Sequence, residues 1–242
     1  MLPVKIVSFL CLVFLADATS GLKHQSPIAL SFRGSVGTPG VVDTTYRSSS
    51  AIFENGGDKD HRELTVGFLG DAGQFNLLRK IYHIENVHFH MPSEHTIDGI
   101  RYPMEIHVVH KNSEGNIAVI GLLYDIGPRA NPFITQLEHY LSGLASSPEE
   151  SNAVFIRTIN PELLQIPSDM FFRYNGSLTT PPYSENVVWN VYSQPSSLTT
   201  NQYSAVKAAL KGENARALQP LNNRLVQLVQ LVRSDFHERS SF

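Results

Sequence analysis

The chain has 242 residues, 42% of them hydrophobic and 17% charged, which allows a sizeable core and argues against a disordered chain. Nineteen Lys and Arg against 22 Asp and Glu leave a formal charge of −3, so there is no electrostatic footprint for nucleic acid or an anionic membrane. One Cys among ten His excludes zinc fingers, iron–sulfur sites and disulfide scaffolds, and any metal site must be built from His and carboxylates.

The N-terminus reads as a secretory signal over residues 1–18. Lys5 supplies the positive start, Ile6 to Leu15 is apolar, and Ala16-Asp17-Ala18 fits a small-residue cleavage pattern. The apolar stretch is too short to span a bilayer, and no later segment approaches the ~20 apolar residues of a membrane span. The protein is therefore expected to be secreted or lumenal. Cys11 would leave with the signal, so the mature chain, from near Thr19, would contain no Cys.

Ser35 to Ser50 is rich in Gly, Ser and Thr and reads as loops between short strands. Tyr82 to His90, Met104 to His110, Ile117 to Tyr124, Met170 to Tyr174 and Asn186 to Tyr192 alternate with a period of two and are rich in β-branched and aromatic residues, which predicts strands. Asp98-Gly99, Glu114-Gly115-Asn116 and Asn175-Gly176 read as turns. Asn175-Gly176-Ser177 is also the sole glycosylation sequon. One helix is predicted after the Asn131-Pro132 cap, with Phe133, Leu137, Tyr140, Leu141 and Leu144 as its apolar stripe. A second runs from about Asn201 to Lys211, with Tyr203, Val206 and Leu210 inward and Gly212 as its stop. The sum is one β-rich domain over residues 19–242 with a few short surface helices.

Five of the ten His lie between His88 and His110. In His88-Phe89-His90 both imidazoles share one face of a strand, and in Glu105-Ile106-His107-Val108-Val109 the residues Glu105, His107 and Val109 share another. If these strands pair, three imidazoles converge. Three neutral imidazoles with an open fourth position describe a catalytic zinc site, although copper, nickel and iron also accept imidazole and the spacing does not name the metal. Glu105, two residues before His107, is placed to orient it.

The order of further elements is more specific. Gln25-Ser26-Pro27-Ile28, His88-Phe89-His90, Ser93-Glu94-His95-Thr96, Glu105 to His110, Ser177-Leu178-Thr179-Thr180-Pro181-Pro182, and Asn214-Ala215-Arg216 with Gln219-Pro220-Leu221 together resemble the α-class carbonic anhydrases over nearly the whole mature chain. The short loop Met91 to Gly99 is similar to the plant and bacterial branch. The resemblance implies a mainly β fold around a large, mostly antiparallel twisted central sheet. It implies Zn²⁺ on His88, His90 and His107, and reversible hydration of carbon dioxide to bicarbonate and a proton by a zinc-bound hydroxide. Thr179 would accept a hydrogen bond from that hydroxide and pass its own proton toward Glu94. Glu105 would orient His107, and Asn86 would orient His88. Val109, Val119, Leu178 and Trp189 match the apolar wall for carbon dioxide, and Thr180 matches a bicarbonate contact. His95 and His110 match structural positions.

The chain departs from that pattern in three places. Only a few residues separate the cleavage site from Gln25, where the family usually carries an aromatic-bearing segment. At the position of the family's proton-shuttling His, after Asn55-Gly56, stands Gly57, with His61 as the nearby substitute; slow proton removal is expected. Extracellular relatives usually join a Cys upstream of the Gln-Ser-Pro element to one after Thr-Thr-Pro-Pro. Here Tyr183 takes the second place and the mature chain has no Cys for the first, so packing has to hold the Thr179 loop. The alternative function is a storage or binding protein similar to the dioscorins, with weak or no activity. The sequence leaves the oligomeric state open.

Overall fold

The computed structural model describes residues 23–40, 43–57, 62–146, 152–167 and 170–231. The expected signal segment, with Cys11, and His61 lie outside the described residues. In chain order the strands are β1 (Ala29–Leu30), β2 (Val36–Gly40), β3 (Asp43–Tyr46), β4 (Ser49–Gly57), β5 (Arg62–Phe68), β6 (Gly73–Leu77), β7 (Lys80–His90), β8 (Thr96–Ile97), β9 (Ile100–Arg101), β10 (Met104–Lys111) and β11 (Ile117–Ile126). Helix α1 (Pro132–Ser146), β12 (Asn152–Ile159), β13 (Met170–Ser177), β14 (Glu185–Tyr192), β15 (Ser196–Leu198), helix α2 (Thr200–Leu210) and β16 (Gln227–Leu231) follow.

The fold is mainly β. Its main sheet runs in the order β12-β4-β5-β7-β10-β11-β14-β13-β16-β2, with β3, β6 and β15 attached to it. Most pairs are antiparallel, as expected. The exceptions are β11 with β14, β11 with β15, and β16 with β2, which run parallel. The segment expected to be loops between short strands supplies β2, β3 and the start of β4.

Strand β10 lies mid-sheet and its alternation serves two environments. Ile106 and Val108 enter the larger apolar cluster with Val87 and Phe89. Glu105 and His107 point to the opposite face, so buried polar groups share a strand with core aliphatics. On that opposite face a second apolar cluster gathers Val119, Trp189 and Val191, with Val109 and Leu178 packed against it.

The two helices follow their caps. Asn131 Oδ1 accepts from the Ile134 amide at 3.0 Å, and Pro132 fills the first helical position, where no amide is needed. Phe133, Ile134, Leu137, Leu141 and Leu144 are buried, whereas Tyr140 is only partly covered. Helix α2 begins one residue earlier than the sequence suggests, because Thr199 and Gln202 form a capping box. Gln202 also links the helix starts: its Oε1 accepts from the Asn131 amide at 2.8 Å and its Nε2 donates to the Asn131 carbonyl at 3.0 Å. The left-handed stop residue of α2 is Lys211 rather than Gly212.

Asn175-Gly176 is not a turn. Both residues lie within β13, paired with Val188 and Val187. The glycine serves close packing instead: a Cβ there would sit 2.1 Å from Ser26 Oγ and 2.7 Å from Tyr174 Cε2. The sequon Asn175 is exposed.

Candidate metal centre

Register does most of the assembly. Strand β7 runs antiparallel to β10, with His107 opposite His88 and Glu105 opposite His90. Directly opposed residues share a face, so the three imidazoles meet on one side of two neighbouring strands. Their ring centroids are 5.1 Å apart for His88 and His90, 5.1 Å for His88 and His107, and 4.4 Å for His90 and His107. One nitrogen from each ring lies within 4.8 Å of the others.

Neighbouring groups decide which nitrogens are offered. His88 Nδ1 lies 2.9 Å from Asn86 Oδ1, which can only accept, so the proton sits on Nδ1 and Nε2 is a bare lone pair. His107 Nε2 lies 2.9 Å from Glu105 Oε1, so its proton sits on Nε2 and Nδ1 is bare. These two bare nitrogens face each other at 3.3 Å. Burial, followed by the neighbouring imidazoles, holds His88 well below its ordinary range, and burial and then His90 also lower His107. His90 is pulled to about 4, chiefly by burial. Neither ring nitrogen of His90, a residue 2% exposed, has a hydrogen-bond partner. His90 Nδ1 lies 3.6 Å from Glu94 Oε1, beyond hydrogen-bond reach. Three neutral rings, two lone pairs turned on each other and a buried imidazole with no hydrogen bond form a donor set that fits a divalent cation.

The supports of this cluster are buried as deeply as the cluster itself. Glu105 Oε1 accepts from His95 Nδ1 at 2.7 Å as well as from His107, and its Oε2 accepts from the amides of Glu94 at 2.9 Å and His95 at 2.8 Å. Burial alone would raise its pKa, but His95 and His107 hold it well below the carboxylate range. His95, Glu105 and His107 also cluster, but the nitrogens that His95 and His107 turn toward Glu105 are already committed to it by hydrogen bonds. Asn214 brackets His90 by bonding both of its neighbours along the chain, Phe89 O at 2.9 Å and the Met91 amide at 3.0 Å. His110 lies apart, with Nε2 2.7 Å from the Tyr46 hydroxyl and Nδ1 3.3 Å from Ala118 O.

Glu94 approaches from the loop after β7. Its Oε1 accepts from the Arg216 amide at 2.8 Å, and its Oε2 lies 3.9 Å from His107 Nδ1. Burial raises the carboxyl to about 6, while His107, the Arg216 amide and the Thr179 hydroxyl pull it back. Thr179 is buried, with 7% of its surface exposed. Val109, Val119, Leu178 and Trp189 belong to the one apolar cluster on this face, and Trp189 stands 4.7 Å from the His107 ring. Thr180 is half-buried at the start of the turn that Tyr183 closes by donating its amide to Thr180 O at 2.9 Å. Sequence reasoning missed Arg216 as the donor to Glu94 and Asn214 as the bracket of His90. Both come from 120 or more residues away, and only the order of short elements pointed to that segment.

Comparison with known proteins identifies the family. The family model described as eukaryotic-type carbonic anhydrase matches residues 16–230. The chain is 36% identical over 209 residues to alpha carbonic anhydrase 7 of Arabidopsis thaliana, covering 84% of this chain and 74% of the relative. A dioscorin solved in complex with ascorbate superposes with a TM-score of 0.81 at 32% identity, covering 89% of each chain. The alpha-carbonic anhydrase of Thermovibrio ammonificans, solved with the inhibitor sulfanilamide, gives 0.73 at 33% identity over 85% of this chain and 87% of that one. No helix among the described residues is long and apolar enough to cross a membrane. Register, ligand set and similarity over most of the sequence converge on one conclusion: the chain belongs to the eukaryotic-type carbonic anhydrase family.

Proposed function

We propose that this protein catalyses the reversible hydration of carbon dioxide to bicarbonate and a proton, with Zn²⁺ held by His88 Nε2, His90 and His107 Nδ1. When bound, the ion supplies Lewis acidity that makes water nucleophilic near neutral pH, as established for carbonic anhydrases at large. The observation that carries the reading is the pair of unprotonated nitrogens on His88 and His107 facing each other beside His90, whose ring nitrogens make no hydrogen bond.

The chain's own groups then aim the reaction. Ionised Glu94 accepts only, so Thr179 must donate its proton there. The Thr179 hydroxyl keeps its lone pairs for the reacting oxygen and holds it in one orientation. A ligand that cannot donate a proton to Thr179 is disfavoured. Carbon dioxide is apolar and gains nothing from a polar wall. Val109, Val119, Leu178 and Trp189 offer it an apolar one, and Thr180 is the proposed contact for the bicarbonate formed. Glu105 and Asn86 set the tautomers of His107 and His88. Gly57 cannot relay a proton, so proton removal limits turnover. Residues 1–18 act as a secretory signal, which places the protein outside the cytosol.

Metal analysis of the purified protein together with stopped-flow carbon dioxide hydration, before and after chelation, tests the proposal. About one zinc per chain and activity lost with the metal are expected. Full activity after complete demetallation would overturn it. The likeness to the dioscorin solved with ascorbate supports a second reading, a binding protein of weak activity. Zinc-loaded protein that binds ascorbate and hydrates carbon dioxide no faster than buffer would favour that reading.

A further inference from the structure

Arg216 makes three contacts: one with Glu94, one with the N-terminal segment at Ser26, and one with Tyr183 in the turn that follows Thr179. Its backbone amide donates to Glu94 Oε1 at 2.8 Å. Its Nη1 donates to the Ser26 carbonyl at 2.6 Å. Its guanidinium lies over the Tyr183 ring, 3.8 Å from the centroid, close enough for a strong cation–π contact.

Tyr183 ends the turn that begins at Thr180, directly after Thr179. Its amide donates to Thr180 O at 2.9 Å, and Leu178 N donates to Ser184 O at 2.9 Å, so the turn is closed twice. The Tyr183 carbonyl accepts from Gln25 Nε2 at 3.1 Å, which fastens it to the same N-terminal segment that Arg216 grips. Its φ is +61°, a conformation that bulky side chains rarely adopt and that persists only where surrounding contacts impose it.

We propose that Tyr183 is a positioning residue: its ring, clamped under Arg216, fixes the turn that carries Thr179 relative to the carboxylate that Arg216 holds by its amide. One residue thereby ties both members of the pair to a common support. A loosened clamp lets Thr179 drift from Glu94 while the three imidazoles, held on β7 and β10, stay in place. The proposal rests on the hydration reading for its kinetic consequence, but the clamp itself can be read without activity.

The test uses three variants of the full chain. Tyr183→Phe keeps the ring. Tyr183→Gly removes it and suits the positive φ, so this variant folds without the backbone penalty. Arg216→Met keeps the amide to Glu94 and removes the guanidinium. Hydrogen exchange at the Leu178 amide is expected to quicken at least tenfold in Tyr183→Gly and Arg216→Met and to quicken less in Tyr183→Phe. In zinc-loaded protein, kcat/KM for carbon dioxide is expected to fall about tenfold in Tyr183→Gly and Arg216→Met at unchanged zinc content, with the double variant no worse than either single one. Unchanged Leu178 exchange in both, or additive losses in the double variant, would overturn the clamp. Quickened exchange in a wild-type background that hydrates no carbon dioxide would leave the clamp standing and remove the proposed function.

Discussion

Glu105 Oε1 accepts a hydrogen bond from His107 Nε2 at 2.9 Å, and that bond decides which nitrogen His107 offers to a cation. The same carboxylate is buried with four donors around it. Glu105→Gln replaces one acceptor oxygen with an NH₂ that must face a donor. The His107 tautomer is then no longer fixed. Zinc affinity, measured by competition with a chromogenic chelator, should fall about 10–100-fold, the usual cost of losing such a partner. Wild-type affinity in this variant would show that another group sets the tautomer.

In the proposed reaction Thr179 acts on orientation and not on the metal. Thr179→Ala should lower kcat/KM for carbon dioxide about 100-fold, a loss typical of removing one preorganised hydrogen-bonding group at the reacting atom. Zinc content should stay at one per chain. Stopped-flow kinetics beside metal analysis separates the two effects, and parallel loss of zinc and rate would assign Thr179 a structural part instead.

Gly57 ends β4 with no titratable side chain. Turnover of the wild type should therefore rise with imidazole buffer concentration at fixed pH and ionic strength. Gly57→His should raise turnover in dilute buffer and flatten the buffer dependence, since a side chain titrating near neutrality then stands at that position. Buffer-independent turnover in the wild type would place a relay elsewhere in the chain.

His110 gives a pH effect on stability. Burial holds it neutral, with its pKa lowered to about 3, against about 6.5 in the unfolded chain. Between those values the unfolded chain binds the extra proton, so stability from this group is intact above pH ~6.5 and declines as pH falls toward 3. The slope approaches about 1.4 kcal/mol per pH unit. Urea unfolding between pH 7 and 4 should show a shallower decline in His110→Gln than in the wild type, whatever the variant's starting stability. Parallel curves would mean that His110 takes no part in the acid limb.

The imidazole cluster was legible in the sequence because a strand's period of two is independent of the rest of the fold: His88 and His90 must share a face, and so must Glu105 and His107. What periodicity cannot give is partnership across the chain. Strand β14 lies parallel to β11, which no hairpin rule predicts, and that pairing sets Trp189 opposite Val119. Asn175-Gly176 misled for a related reason. Its glycine looked like a turn signal, but it is required where β13 crosses close to Ser26. Conversely, the tight turn at Leu78 and Arg79, both with positive φ, carries neither Gly nor Asn and gave no warning. The support of Glu94 by Arg216 belongs to the same class, a backbone donor whose address is set only by tertiary packing.

The placement of β7 and β10 near the middle of a ten-strand path, each flanked by partners on both sides, separates two kinds of durability. Thr179 rides on the connecting turn between β13 and β14, outside any strand, whereas the three rings ride on strands that fray last. As the protein is warmed, catalytic competence should therefore vanish while the ion is still retained, and cooling should restore it without any resupply of zinc.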